Sequence, residues 1–162
     1  MLKTFRTVSI ILTLAWMVVI FLFSCENASD SSETSGNTIR FFLDIFYPDF
    51  KELAESAQME IVESFQHIVR KFAHFTAYAI LGVLTLLSVV TYKNLPIKFR
   101  SGTSLVICLL YAISDEIHQL FVPGRSGQIT DVFVDFSGAF TGVIILLLII
   151  RFSKSRFIKN NT

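Results

Sequence analysis

Ten polar side chains stand out in a largely apolar chain: Lys71, His74, Tyr78, Asp115, Glu116, His118, Gln119, Arg125, Asp131 and Asp135. Their spacing is helical. Lys71, His74 and Tyr78 stand at i, i+3 and i+7; Asp115, His118 and Gln119 at i, i+3 and i+4; Asp131 and Asp135 at i and i+4. Each set therefore lies on one helix face. Glu116 or Asp115 beside His118 makes a candidate general base pair, the catalytic candidates of the chain. Lys71 or Arg125 could stabilise an oxyanion or hold a phosphate or carboxylate, arginine with a bidentate fork. No serine or cysteine nucleophile stands out, because Cys108 falls deep in an apolar run and Ser114 and Ser126 occupy ordinary positions. Neither a metal nor any other cofactor is expected. The best metal-ligand set is His74, Asp115, His118 and Asp131, with one carboxylate–histidine pair at i, i+3 where di-metal bundles use two.

The elements that must position these groups are long apolar runs. Hydrophobic residues make up 52% of the 162-residue chain, and only 17% are charged. An ordinary soluble domain carries about 25% charged residues. A spanning helix needs roughly 20 predominantly apolar residues, and four segments meet that: about 6–23, 72–92, 102–122 and 132–150. A soluble helical bundle is the competing reading, but Val143 to Ile150 has no polar stripe to face water. The fold expected is an all-α polytopic membrane bundle of four transmembrane helices, forming one domain over 1–162. Disorder is excluded by hydrophobicity, and a net charge of +1 offers no basic footprint for nucleic acid. Two cysteines cannot make a disulfide framework, and Cys25 and Cys108 are expected to be far apart and unpaired.

Orientation follows from the basic residues. With the N-terminus inside, the cytoplasmic pieces carry Lys3, Arg6, Lys93, Lys98, Arg100, Arg151, Lys154, Arg156 and Lys159 and no acid. All 13 carboxylates fall on the other side, as the positive-inside rule predicts for a multi-pass cell-membrane protein with both termini cytoplasmic. The first segment has a second reading as a lipoprotein signal cleaved before Cys25, although Phe23 is bulky for such a signal. The extracytoplasmic loop, 24–71, divides in two. Ser24 to Thr38 reads as a flexible loop from its Ser, Asn and acidic residues. From Asp49 to Arg70, apolar residues recur every three or four positions, predicting an amphipathic helix that runs into the second span. His67 is taken as part of its solvated face.

Four acids are different. Asp115, Glu116, Asp131 and Asp135 stand at or within the ends of spans three and four, where ionisable groups normally face protein or a wet cavity. Gly138 and Gly142 extend the Asp131–Asp135 face as a G-x-x-x-G pair, which allows close helix approach. The turn Pro123-Gly124-Arg125-Ser126-Gly127 would hold Arg125 at the outer surface. Three faces and one turn thus bound a single polar pocket.

The stretch Lys71-x-x-His74-x-x-x-Tyr78, then Ser114-Asp115-Glu116-Ile117-His118-Gln119-x-Phe121-x-Pro123-Gly124-Arg125, then Asp131 and Gly138, resembles the VanZ-like membrane proteins. The resemblance covers most of the chain and departs at Asp135, where many relatives carry Asn. It implies a bacterial, membrane-embedded protein of a family named for low-level resistance to the glycopeptide teicoplanin, and it supplies no mechanism.

Three readings of the polar set stay open. One is a binding module at the outer leaflet for a lipid-linked cell-wall precursor or the lipid tail of a lipoglycopeptide, with the membrane bilayer as its other partner. The second is a membrane-embedded enzyme acting on such a substrate through the His/Asp/Glu cluster. The third is a buried network that fixes helix packing. One or two pairs would suffice for packing, which weakens the third reading for a set of this size.

Overall fold

All four apolar runs form helices. The computed structural model describes residues 2–92 and 94–159, with side chains described for 3–92 and 94–153, and no strand occurs among the described residues. Lys93 and the side chains of Lys154, Arg156 and Lys159 lie outside that description. The helices are α1 (Leu2–Ser24), α2 (Ala28–Phe46), α3 (Glu55–Val90), α4 (Ile97–Gln119) and α5 (Ile129–Lys159). At 1.5 Å per residue, the 36-residue α3 is about 54 Å long, so much of it stands clear of a hydrocarbon core about 30 Å thick.

Three expectations need correction. Ser24–Thr38 is not a flexible loop; most of it forms the first half of α2. Asn27 caps that helix, its side-chain oxygen accepting the Asp30 N–H at 2.9 Å. Its buried face is the small residues Ser31, Ser35 and Gly36 beside Ile39, with Gly36 against Val62 and Gln66 of α3. Small polar residues carry a helix face here that apolar periodicity cannot register. The amphipathic helix also begins later than Asp49. Pro48–Glu52 forms a 3₁₀ turn, and Phe50 is buried there against Ile39 and Val62. The third span, α4, ends at Gln119, so Leu120 to Val122 belong to the turn that follows.

α3 is the axis of the bundle and packs against α1, α4, α5 and α2. Pairs between α3 and α5 advance together: Lys71 with Asp131, His74 with Asp135, Phe75 with Gly138, Ala79 with Gly142. The two helices therefore run parallel. A Cβ at Gly138 or Gly142 would collide with the carbonyl of Phe75 or Ala79, so only glycine permits this approach. α1 and α4 run the other way. Trp16 Nε1 donates to the Ala77 carbonyl at 2.8 Å and Thr13 meets Ser88 at 3.0 Å, while Thr85 meets Ser104 at 2.6 Å. These interhelical hydrogen bonds are the polar adhesive expected where no hydrophobic force drives helices together. Tyr111 also donates to the Met17 carbonyl at 2.6 Å, so α1 is tied to both α3 and α4.

The outer surface of the bundle is apolar. Only 17–28% of residues in the most apolar window of each long helix are buried. Side chains such as Ile11, Leu22, Leu110 and Phe140 point outward. Exposed apolar area on that scale belongs in lipid. The chain is a multi-pass membrane protein. Arg6 lies over the Tyr92 ring, which places the start of α1 at the same end as the α3–α4 turn and the end of α5. The opposite end gathers α2, the α4–α5 turn and the polar side chains. Cys25 and Cys108 are both free thiols.

Candidate functional site

The parallel register of α3 and α5 lines up two acid–base pairs one turn apart. Lys71 Nζ reaches Asp131 Oδ1 at 2.9 Å. His74 Nδ1 stands 3.3 Å from Asp135 Oδ1, yet the atoms are not aligned for a hydrogen bond. From the same face of α3, Tyr78 donates to Asp115 Oδ2 of α4 at 3.4 Å. Glu116 turns toward the α4–α5 loop, where its Oε2 accepts the Gln128 N–H at 2.8 Å. Gly127 has to be small there, because a Cβ would lie 2.6 Å from the Glu116 carbonyl oxygen.

Arg125 is positioned by its tight turn, in which Gly124 adopts φ 75°. Its Nε donates to the Glu26 carbonyl at 2.9 Å and its Nη2 to the Phe23 carbonyl at 3.4 Å. Arg125 thus clamps the α1–α2 turn to the α4–α5 turn. Burial lowers its proton affinity from the ordinary arginine value, the charge of nearby Arg70 adds to this, and Glu26 opposes it. It stays a cation across the working pH range.

Lys71, His74, Arg125 and Asp131 line a cavity of about 110 Å³, which Tyr78, Asp115, Glu116 and Asp135 do not line. Arg70, Lys71 and Arg125 bring three positive charges to its wall, against one carboxylate, Asp131. His67, His74, Gln119, Ser126 and Gln128 complete its polar lining. Beside it, between α4 and α5, runs an apolar groove of about 520 Å³ walled by Ile113, Ile117, Leu120, Val132, Phe133 and Phe136. Gln128 borders both spaces, and Glu116 marks the polar end of the groove.

Buried polar atoms normally find partners. Among the described residues, those without one are Arg70 Nε, His74 Nδ1, Asp115 Oδ1, Glu116 Oε1, Gln119 Nε2 and both carboxylate oxygens of Asp135. Every one belongs to this cavity, the groove beside it or the carboxylates beneath it. His74, Asp115 and Asp135 also offer ligand atoms that lie within 4.8 Å of one another. That trio shares two members with the ligand set read from the sequence. Asp131 is instead engaged by Lys71, and the His118 ring packs tilted against Phe21 with its Nε2 3.5 Å from Cys25 Sγ. His118 thus packs against α1 and is absent from the cavity lining, whereas Asp115, Glu116 and Gln119 are buried on the inner side of α4.

Over residues 9–151 the chain matches the family model described as VanZ/LLP1. The chain belongs to the VanZ/LLP1 family. The match runs from within α1 into the last turns of α5, so every residue of the site falls inside the VanZ/LLP1 region. Comparison with curated proteins and with solved structures gives no significant match. Four polar members of the cavity lining, His67, Arg70, Ser126 and Gln128, were not singled out in the sequence. Arg70 precedes His74 by four residues and His67 precedes Lys71 by four, so extending the Lys71–His74–Tyr78 face back one turn finds both. His67, read above as a solvated side chain, lines the cavity.

Proposed function

We propose that this VanZ/LLP1 protein sits in the bacterial cell membrane with both termini cytoplasmic and its acid-rich end outward. There it binds the anionic headgroup of a lipid-linked ligand at the outer leaflet, and so contributes to low-level resistance to glycopeptides such as teicoplanin. The observation that carries the reading is a buried polar cavity walled by three cations against one carboxylate, where two unpartnered donors, Arg70 Nε and Gln119 Nε2, await an acceptor. Unpaired buried groups cost roughly 1–3 kcal/mol each, and a ligand that completes their bonding recovers that cost. The adjoining apolar groove accounts for an acyl or prenyl chain, which makes an amphiphile a better fit than a small soluble anion. Glycopeptide resistance enters through the family resemblance alone.

Catalysis is the second reading, favoured by the approach of Asp135 Oδ1 to within 3.3 Å of His74 Nδ1, from which a small reorientation would hold the imidazole for proton transfer. Ser126 lies in the same cavity lining.

The test compares wild type with Arg70→Gln and Lys71→Gln. Arg125 is unsuitable, since its loss would also release the turn it clamps. Purified protein in nanodiscs is titrated with a pyrene-labelled polyprenyl phosphate, and neutral polyprenol serves as competitor. Saturable binding that neutral polyprenol cannot displace, weakened in both variants at equal folded yield, is expected. Equal binding of phosphate and neutral alcohol would refute the headgroup assignment. Teicoplanin susceptibility of a deletion strain carrying each variant, read with membrane abundance, tests the physiological half.

A further inference from the structure

We propose that His74, Asp115 and Asp135 form a divalent transition-metal site, with zinc the best-matched ion, at the point where α3, α4 and α5 meet. Asp135 is fully buried and Asp115 is 3% exposed. No described lysine or arginine neutralises either carboxylate, and the one basic side chain beside them is His74, 3.3 Å from Asp135. Lys71 is paired with Asp131, Arg125 with the Glu26 and Phe23 carbonyls, and Arg70 with Ser32. Three of the four carboxylate oxygens have no hydrogen-bond donor, and the His74 Nδ1 beside them has no bonded partner. Two uncompensated carboxylates in a membrane interior are among the costliest arrangements a helix bundle can hold. One divalent cation cancels both charges and uses the three orphaned side chains together.

The donor set suits the ion. One imidazole nitrogen and two carboxylates are ordinary zinc ligands, and three protein ligands with an open fourth position describe zinc sites that bind water or substrate. Tetrahedral ligands about 2.0–2.1 Å from zinc stand roughly 3.3–3.4 Å apart. The 3.3 Å between His74 Nδ1 and Asp135 Oδ1 matches one such edge. All three ligand atoms lie within 4.8 Å of one another, so the set needs to contract by no more than about 1.5 Å to reach that spacing. Tyr78, fully buried, holds the second oxygen of Asp115, as outer-shell partners of metal-bound carboxylates do. His74 also lines the anion cavity, so an ion here would stand directly below the three cations. The inference does not depend on the ligand proposed for that cavity.

The full chain, purified in detergent without chelator, is analysed for bound metal and then titrated with Zn²⁺ and Mn²⁺ after chelator treatment. About one zinc per chain is expected, with a rise in the thermal transition on adding zinc back. Asp135→Asn should weaken zinc binding by more than the about 10–100-fold typical of outer-shell changes, and Tyr78→Phe should fall within that range. The competing zinc ligands are Cys25 and His118, so Cys25→Ser should bind zinc as wild type does. Cobalt substitution of the wild-type protein decides the matter without any variant. A tetrahedral d–d spectrum lacking a thiolate charge-transfer band supports the site, and a thiolate band assigns the metal to Cys25 and overturns it. Wild type that neither retains nor takes up zinc or manganese also overturns it, as does Asp135→Asn binding zinc with wild-type affinity.

Discussion

Replacing Gly142 with alanine tests whether the seam between α3 and α5 sets the geometry of the site. A Cβ built there lies 2.8 Å from the Ala79 carbonyl carbon, and the carbonyl oxygen is closer still. Ordinary contact begins at 3.4 Å, and the nearer oxygen sets the limit, so the helices must part by more than about 1 Å to admit one methyl group. That displacement falls two turns below the His74–Asp135 approach of 3.3 Å and three below the Lys71–Asp131 bond of 2.9 Å. Overpacking of this kind costs about 1–3 kcal/mol, against a gain of up to about 1 kcal/mol from helix propensity. Gly102→Ala isolates the propensity contribution, because nothing lies within 4 Å of a Cβ at that position. The assay is thermal unfolding in detergent followed by fluorescence of Trp16, the chain's one tryptophan, whose indole is bonded to the Ala77 carbonyl of α3. At roughly 2–4 °C per kcal/mol for a chain of this size, Gly142→Ala should melt roughly 2–12 °C below Gly102→Ala. Equal midpoints for the two variants would show that α3 and α5 do not approach as described.

Trp16→Phe removes the bond to the Ala77 carbonyl and should lower stability by about 0.5–1.5 kcal/mol, read by denaturant unfolding monitored by circular dichroism. Arg125→Ala breaks two bonds from a charged donor to the Glu26 and Phe23 carbonyls and should cost about 1–3 kcal/mol; a midpoint like wild type would remove the clamp from the account. Cys25 is exposed at the acid-rich end and Cys108 is buried in mid-bundle. A membrane-impermeant maleimide applied to intact cells should therefore label wild type and leave Cys25→Ser unlabelled, and labelling of Cys25 only after lysis would reverse the proposed orientation.

The spans were legible because lipid imposes one demand along their whole length. Each spanning helix must present apolar residues to lipid, so the signal in Val143 to Ile150 needs no knowledge of partners. The seam was legible too: Asp131, Asp135, Gly138 and Gly142 stand on one face, and all four meet α3. α2 was not legible. Its buried side is Ser31, Ser35 and Gly36 beside Ile39, and such a face becomes recognisable only once Val62 and Gln66 are known to lie opposite.

The site divides along the same line. Helical spacing grouped Asp115, His118 and Gln119, but that arc is wide enough for its members to face different neighbours. Asp115 turns inward to Tyr78, while His118 packs against Phe21 of α1. Spacing within one helix cannot say which neighbour lies beyond each edge of the arc. Parallel α3 and α5 then decide which carboxylates remain uncompensated. Once Lys71 is paired with Asp131, the next turn offers only neutral or titratable His74 to Asp135, with Asp115 approaching from α4. Stability alone favours an apolar residue or an amide over such a carboxylate pair. Keeping two carboxylates and an imidazole there, beneath three cations, makes sense for a site that holds charge from outside the chain: a cation among the carboxylates and an anion above them.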